Sequence, residues 1–183
     1  QGAKIDDKYI DSHIWLDTKN AKRILKIIKD NLEKINPKHT KTYRKKYDIA
    51  IQRINALYQE LELELEPLKN KKFIVFHDAF QYFENQFFLQ NAGQITQKPH
   101  LNVSIKSLKK NKIKARNEDI KCIFFEPQFN KKFSNIVAKG SKAEIVAIDP
   151  VGMNLEPSDE LYLKLMKNIS KSYKNCLSDK THP

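Results

Sequence analysis

Beyond residue 70 the chain changes rhythm: short, almost unbroken apolar runs alternate with stretches of helical periodicity. Phe73–Phe76, Ile120–Phe125 and Glu144–Ile148 read as strands, with a shorter one at Gln94–Thr96. Helical patterns separate or follow them at Ala79–Leu89, Val103–Lys114, Lys131–Lys139 and Ser158–Leu177. Successive side chains of a strand point to opposite faces, so a strand that is apolar at consecutive positions must be covered on both. Strands of that kind, joined through helices, form a parallel sheet. The expected fold class is α/β: a parallel sheet with flanking helices.

The first third of the chain carries a different pattern. Asp17 is a plausible N-cap; Ala21, Ile24, Leu25, Ile28, Leu32 and Ile35 then follow at helical spacing, and Pro37 ends the run. A second amphipathic helix starts near His39 or Thr40 and runs through Tyr43, Tyr47, Ala50, Ile54, Leu57 and Leu61 to Pro67. Its tail, "LELELE", also alternates as a strand would. The helical periodicity runs into it, so the segment is expected to stay helical. A helix this long serves as a backbone spine; a coiled-coil partner is the alternative, although fewer than four clean heptads are present.

The 183 residues suit one domain or one large piece of a protein, and 40% apolar content is enough for a core. No run of 18 apolar residues is present, so no transmembrane helix is expected. The sequence begins at Gln1 without a visible signal peptide, which suggests processing or a fragment. The net charge of +12 comes mainly from scattered lysines, with short clusters at 44–46, 71–72, 109–110 and 131–132. Tyr43 and Tyr47 flank one cluster, but no longer interleaving of aromatic and basic residues makes a stacking platform. Solvated basic faces are the simpler reading, with a nucleic-acid-binding module as the alternative. Cys122 and Cys176 form no C-x-x-C, and their spacing leaves open a disulfide or two buried thiols.

Ligands of open parallel sheets bind beyond the carboxyl ends of the strands. Phe73–Phe76 leads into His77, and the strand ending at Ile148 leads into Asp149 and Pro150. If the two strands lie close in the sheet, an imidazole and a carboxylate converge on one rigid rim. Each residue also has a plainer reading: His77 or Asp78 as a helix cap, Asp149 as a turn residue. There is no G-x-G-x-x-G, P-loop or G-x-S-x-G motif. A metal-dependent hydrolase using His77 and Asp149 would need an open metal position and a substrate cleft, and neither is visible. The chain is not expected to be an enzyme.

Four segments carry a family resemblance: "DSHIWLD" (11–17), "FIVFHDAFQYFE" (73–84), "CIFFEPQFN" (122–130) and "IDPVGMNLEP" (148–157). In this order and spacing they resemble the zinc-binding solute-binding proteins of ABC importers, the ZnuA-type metal receptors. The resemblance implies zinc capture in the periplasm and delivery to an ABC importer membrane permease. It implies Zn²⁺ ligands at His13, His77 and Asp149, and a further histidine in an N-terminal lobe lying upstream of residue 1. His77 stands where manganese-selective relatives carry Glu, which favours zinc over the alternative of manganese or another divalent ion. Glu126, at the end of a strand, is expected as an acceptor that orients an imidazole, or as a helix-start residue. The resemblance also implies a Cys122–Cys176 disulfide.

On this reading residues 1–36 belong with the absent lobe, 38–69 form the linking backbone helix, and 70–183 form the C-terminal α/β lobe. Residues 1–36 would then expose Ile24, Ile28 and Leu32, which suggests self-association. Two departures stand out. Ser12 replaces the proline of the family's DPH, and Gln97–His100 differ from its usual NPE. His39, His100 and His182 are not expected to be ligands.

Overall fold

The computed structural model describes residues 4–6, 9–97 and 102–178. A small antiparallel ladder of β1 (Lys4–Asp6) and β2 (Tyr9–Ile10) comes first. Two antiparallel-packed amphipathic helices follow, α1 (Thr18–Ile35) and α2 (Thr40–Leu65). Asp17 caps α1, its side chain accepting from the Lys19 N–H at 2.5 Å. The "LELELE" tail is helical to Leu65, because Leu57, Leu61 and Leu65 continue one buried stripe.

The remaining elements alternate: β3 (Lys72–His77), α3 (Gln81–Phe87), β4 (Gln90–Thr96), α4 (Ile105–Asn117), β5 (Ile120–Phe125), α5 (Lys132–Ala138), β6 (Glu144–Ala147) and α6 (Leu161–Leu177). The four strands pair in parallel in the order β4-β3-β5-β6. Phe73, Val75, Cys122 and Phe124 face a core closed by α2, α3 and α6. Ile74, Phe76 and Ile123 face a second core with Ala115 of α4 and Val137 of α5. This two-sided burial explains the unbroken apolar runs.

Element ends moved where backbone pairing outweighed side-chain pattern. The strand expected at Gln94–Thr96 begins at Gln90, since Lys72 and Phe73 pair with Gln90 and Asn91 despite their polarity. It is an edge strand, and α4 covers its carbonyls. Asn111 Nδ2 donates to the Gln94 carbonyl at 2.9 Å, Ser107 Oγ to that of Ile95 at 2.6 Å, and Lys114 Nζ to that of Ala92. Helix α3 starts at Gln81 rather than Ala79, with Phe80 as its N-cap, so neither His77 nor Asp78 caps it.

Cys122 on β5 and Cys176 near the end of α6 form a disulfide with Cα atoms 6.1 Å apart. Polar links also tie α6 to α2: Glu64 accepts from Ser170 Oγ and Lys174 Nζ, both at 2.9 Å, and Lys167 meets Glu60 at 2.7 Å. The differing rim segment at 98–100 and both His100 and His182 lie outside the described residues, so their expected roles are not addressed.

Candidate metal centre

The carboxyl ends of β3, β5 and β6 supply one rim of the sheet. β3 ends on His77, β5 runs into Glu126, and β6 leads through Ile148 to Asp149. The turn Asp11–Ser12–His13 reaches the same rim from the start of the chain. The His13 and His77 ring centroids are 5.3 Å apart. A single helical turn, Ile14–Leu16, holds this segment down: Leu16 is in the main core, and Trp15 Nε1 donates to the Pro150 carbonyl at 3.0 Å. Tyr162 Oη of α6 donates to the Trp15 carbonyl at 3.0 Å. The segment carrying His13 is thereby latched to the loop after Asp149.

Each imidazole has its own carboxylate. His13 Nδ1 lies 2.6 Å from Asp11 Oδ1, and the same oxygen accepts from the His13 backbone N–H at 2.9 Å. His77 Nδ1 bonds to Glu126 Oε2. His77 is 7% exposed, Asp11 1% and Glu126 0%. The oxygens Asp11 Oδ2 and Glu126 Oε1 are buried, with no hydrogen-bond partner among the described residues. Phe129 packs edge-on against the His77 ring, and Trp15 flanks that of His13. Asp78, beside His77, has its carboxyl pushed up by burial and by the Asp11 charge, against the opposing pull of His77 and His13.

Asp149 occupies the rim in a different way. Its Oδ1 accepts from Gln128 Nε2 at 2.8 Å and the Val151 N–H at 3.0 Å; its Oδ2 accepts from the Met153 N–H at 2.6 Å. The carboxylate braces the turn that carries Pro150, as the plain turn reading expects, and ligating a cation would require it to share these bonds. Among the described residues no three His, Cys, Asp or Glu side chains are grouped to hold a metal ion together. The two imidazoles converge on this rim.

The donor set fits a borderline-soft divalent cation. Both rings engage a carboxylate through Nδ1, which leaves Nε2 for coordination, and two buried carboxylate oxygens lack a partner that positive charge would offset. Glu126, expected either as an acceptor for an imidazole or as a helix-start residue, meets the His77 ring through Oε2. Asp11, Trp15, Gln128 and Tyr162 were not anticipated. The Asp-x-His spacing was the available signal for Asp11, since a short side chain two residues upstream readily bonds the following backbone N–H.

Residues 1–176 match the family model described as "Zinc-uptake complex component A periplasmic". The chain is 38% identical over 168 residues to the "High-affinity zinc uptake system protein ZnuA" of Brucella suis, covering 92% of this chain and 50% of that protein. It is 31% identical over 169 residues to the protein of the same description from Yersinia pestis, covering 90% and 52%. The chain thus spans about half the length of the curated relatives it matches. Its fold superposes on a crystal structure of ZnuA with a TM-score of 0.84 at 25% identity, covering 97% of this chain and 66% of that one. The periplasmic zinc-binding protein TroA of Treponema pallidum gives the same TM-score at 18% identity, covering 98% and 68%, and so shares the fold.

Proposed function

The chain belongs to the ZnuA family of periplasmic zinc-uptake components, and from this premise we propose that it captures Zn²⁺ as cargo for an ABC importer permease. Its role is capture and release rather than catalysis. His13 and His77 bind the ion through Nε2, and Asp149 contributes charge or a further ligand from the same rim. The observation that carries this reading is the convergence of two imidazoles, 5.3 Å between centroids, each backed by a buried carboxylate. The curated relatives extend over about twice the matched span, which leaves room in such proteins for further donors. In that frame residues 1–36 and 70–183 form opposing parts of the site, and 38–69 the helix between them. Among the described residues no helix is long and apolar enough to cross a membrane.

Zinc competes with protons for imidazole nitrogens, so capture weakens in acid. Imidazole donors favour zinc over manganese, the alternative cargo within the family. Calorimetric titration of the chain with zinc chloride at neutral pH, beside His77→Ala, tests the assignment. A loss of at least tenfold in affinity in the variant is expected. Equal affinity for the two proteins, or preference for manganese, would reject it.

A further inference from the structure

We propose that the tip of the α1–α2 hairpin is a docking surface for anionic phospholipid headgroups, on which the chain rests reversibly against a bilayer. The inference goes beyond zinc capture and does not depend on it. Residues 34–46, KINPKHTKTYRKK, hold six lysine or arginine side chains and no acidic one. They end α1, make the turn Pro37–His39 and open α2. Lys34, Lys38, Lys41, Arg44, Lys45 and Lys46 are all exposed.

The hairpin has little internal use for these charges. Arg44 Nε meets Glu33 Oε1 at 3.0 Å, but among the described residues no acidic side chain pairs with the five lysines. Lys41 lies in the first turn of α2, where an acidic side chain is the stabilising choice and none is present. Like charges held this close repel one another, and an anionic surface relieves that repulsion. The tip also stands apart from the metal rim. Helix α1 starts just after the His13 segment, and its 18 residues carry the chain ~27 Å onward.

The surroundings of the lysines favour a bilayer over other polyanions. Ile35 is 80% exposed among them, and Tyr43 and Tyr47 sit half-buried on the first turns of α2. An apolar side chain and phenol rings beside ammonium groups match the boundary between headgroups and acyl chains. A polynucleotide offers phosphates without that apolar layer, and the tip has no row of exposed aromatic faces on which bases could stack. The family is one of periplasmic components, whose working surroundings include a bilayer. The attraction acts over about a Debye length, so the docking is reversible and sensitive to salt.

Sedimentation of the full chain with vesicles of phosphatidylcholine mixed with phosphatidylglycerol, beside vesicles of phosphatidylcholine alone, tests this. Binding to the anionic vesicles only is expected, with release in high salt. Because the whole chain is basic, two variants of equal net charge are compared: Lys38→Glu/Lys41→Glu/Lys45→Glu at the tip, and Lys106→Glu/Lys109→Glu/Lys110→Glu at exposed positions of α4. At roughly fivefold per basic residue near the surface, the tip variant should lose at least about tenfold in vesicle affinity, while the α4 variant stays within about threefold of wild type. Equal losses would show bulk charge alone at work and overturn the inference, as would a wild-type chain that ignores anionic vesicles. Binding to polyaspartate or a DNA duplex but not to the vesicles would assign the tip to another partner and overturn it too. If circular dichroism shows that the tip variant fails to fold, Lys38→Gln/Lys41→Gln against Lys106→Gln/Lys110→Gln decides by the same comparison. A chain that takes up no zinc yet binds anionic vesicles through the tip would overturn the proposed function and leave this inference standing.

Discussion

Glu84 shows how strongly a single enclosed carboxyl is set by its surroundings. It sits on α3 with Oε1 accepting from Tyr173 Oη and Oε2 from Asn91 Nδ2, both at 2.9 Å. Burial raises its carboxyl from 4.5 to about 7, against these two bonds, which lower it. A raised folded-state pKa means the folded chain holds the proton more tightly than the unfolded one. The stabilisation is present in full below pH 4.5 and is lost as pH rises through about 7. The full span corresponds to about 3 kcal/mol. Urea midpoints of wild type and Glu84→Gln, compared between pH 5 and 8, should diverge by a falling wild-type curve; parallel curves would contradict this. None of this was legible in the sequence, where Glu84 is one polar position in an apolar-periodic segment. The positions of His77 and Asp149 at or just beyond strand ends were legible because apolar runs lead into them. Asp11 was harder to find: no periodicity marks a short turn, and only its spacing from His13 pointed to the contact between them.

At the scale of elements, the strands and helices were legible because their apolar spacing reports burial directly. Their ends were less so: β4 is an edge strand whose first residues are polar, and its pairing with β3 is a backbone matter that side-chain pattern does not record. The small β1–β2 ladder escaped notice for a similar reason, since two and three residues are too few for alternation to register. The disulfide between β5 and α6 closes a separation of 54 residues. It pins the last helix over the sheet face that holds Phe73 and Phe124, against which Tyr173 of that helix packs edge-on. Chain-entropy arguments give such a bridge about 3–4 kcal/mol. The double variant Cys122→Ala/Cys176→Ala should lose stability of this order in guanidinium denaturation while keeping its far-UV circular dichroism. An unchanged midpoint would show that the bridge adds nothing to the packing of α6.

At the scale of the whole molecule, elements far apart in sequence meet at one place. The turn at 11–13, the end of β3, the start of the loop after β5 and the loop after β6 share a rim, tied by the Trp15–Pro150 and Tyr162–Trp15 bonds. The fold class was legible from the alternation of runs and helices, and the four family segments brought the rim residues into one frame. The exact role of Asp149 was not, because its three hydrogen bonds depend on the turn it braces. On the function proposed here, His13 and His77 share one zinc ion. Zinc K-edge X-ray absorption of the loaded chain measures this most directly. Imidazole scattering from two rings of this chain is expected at about 2.0–2.1 Å, with one ring lost in His13→Ala and one in His77→Ala. An all-oxygen shell, or an imidazole count unchanged by both substitutions, would contradict it.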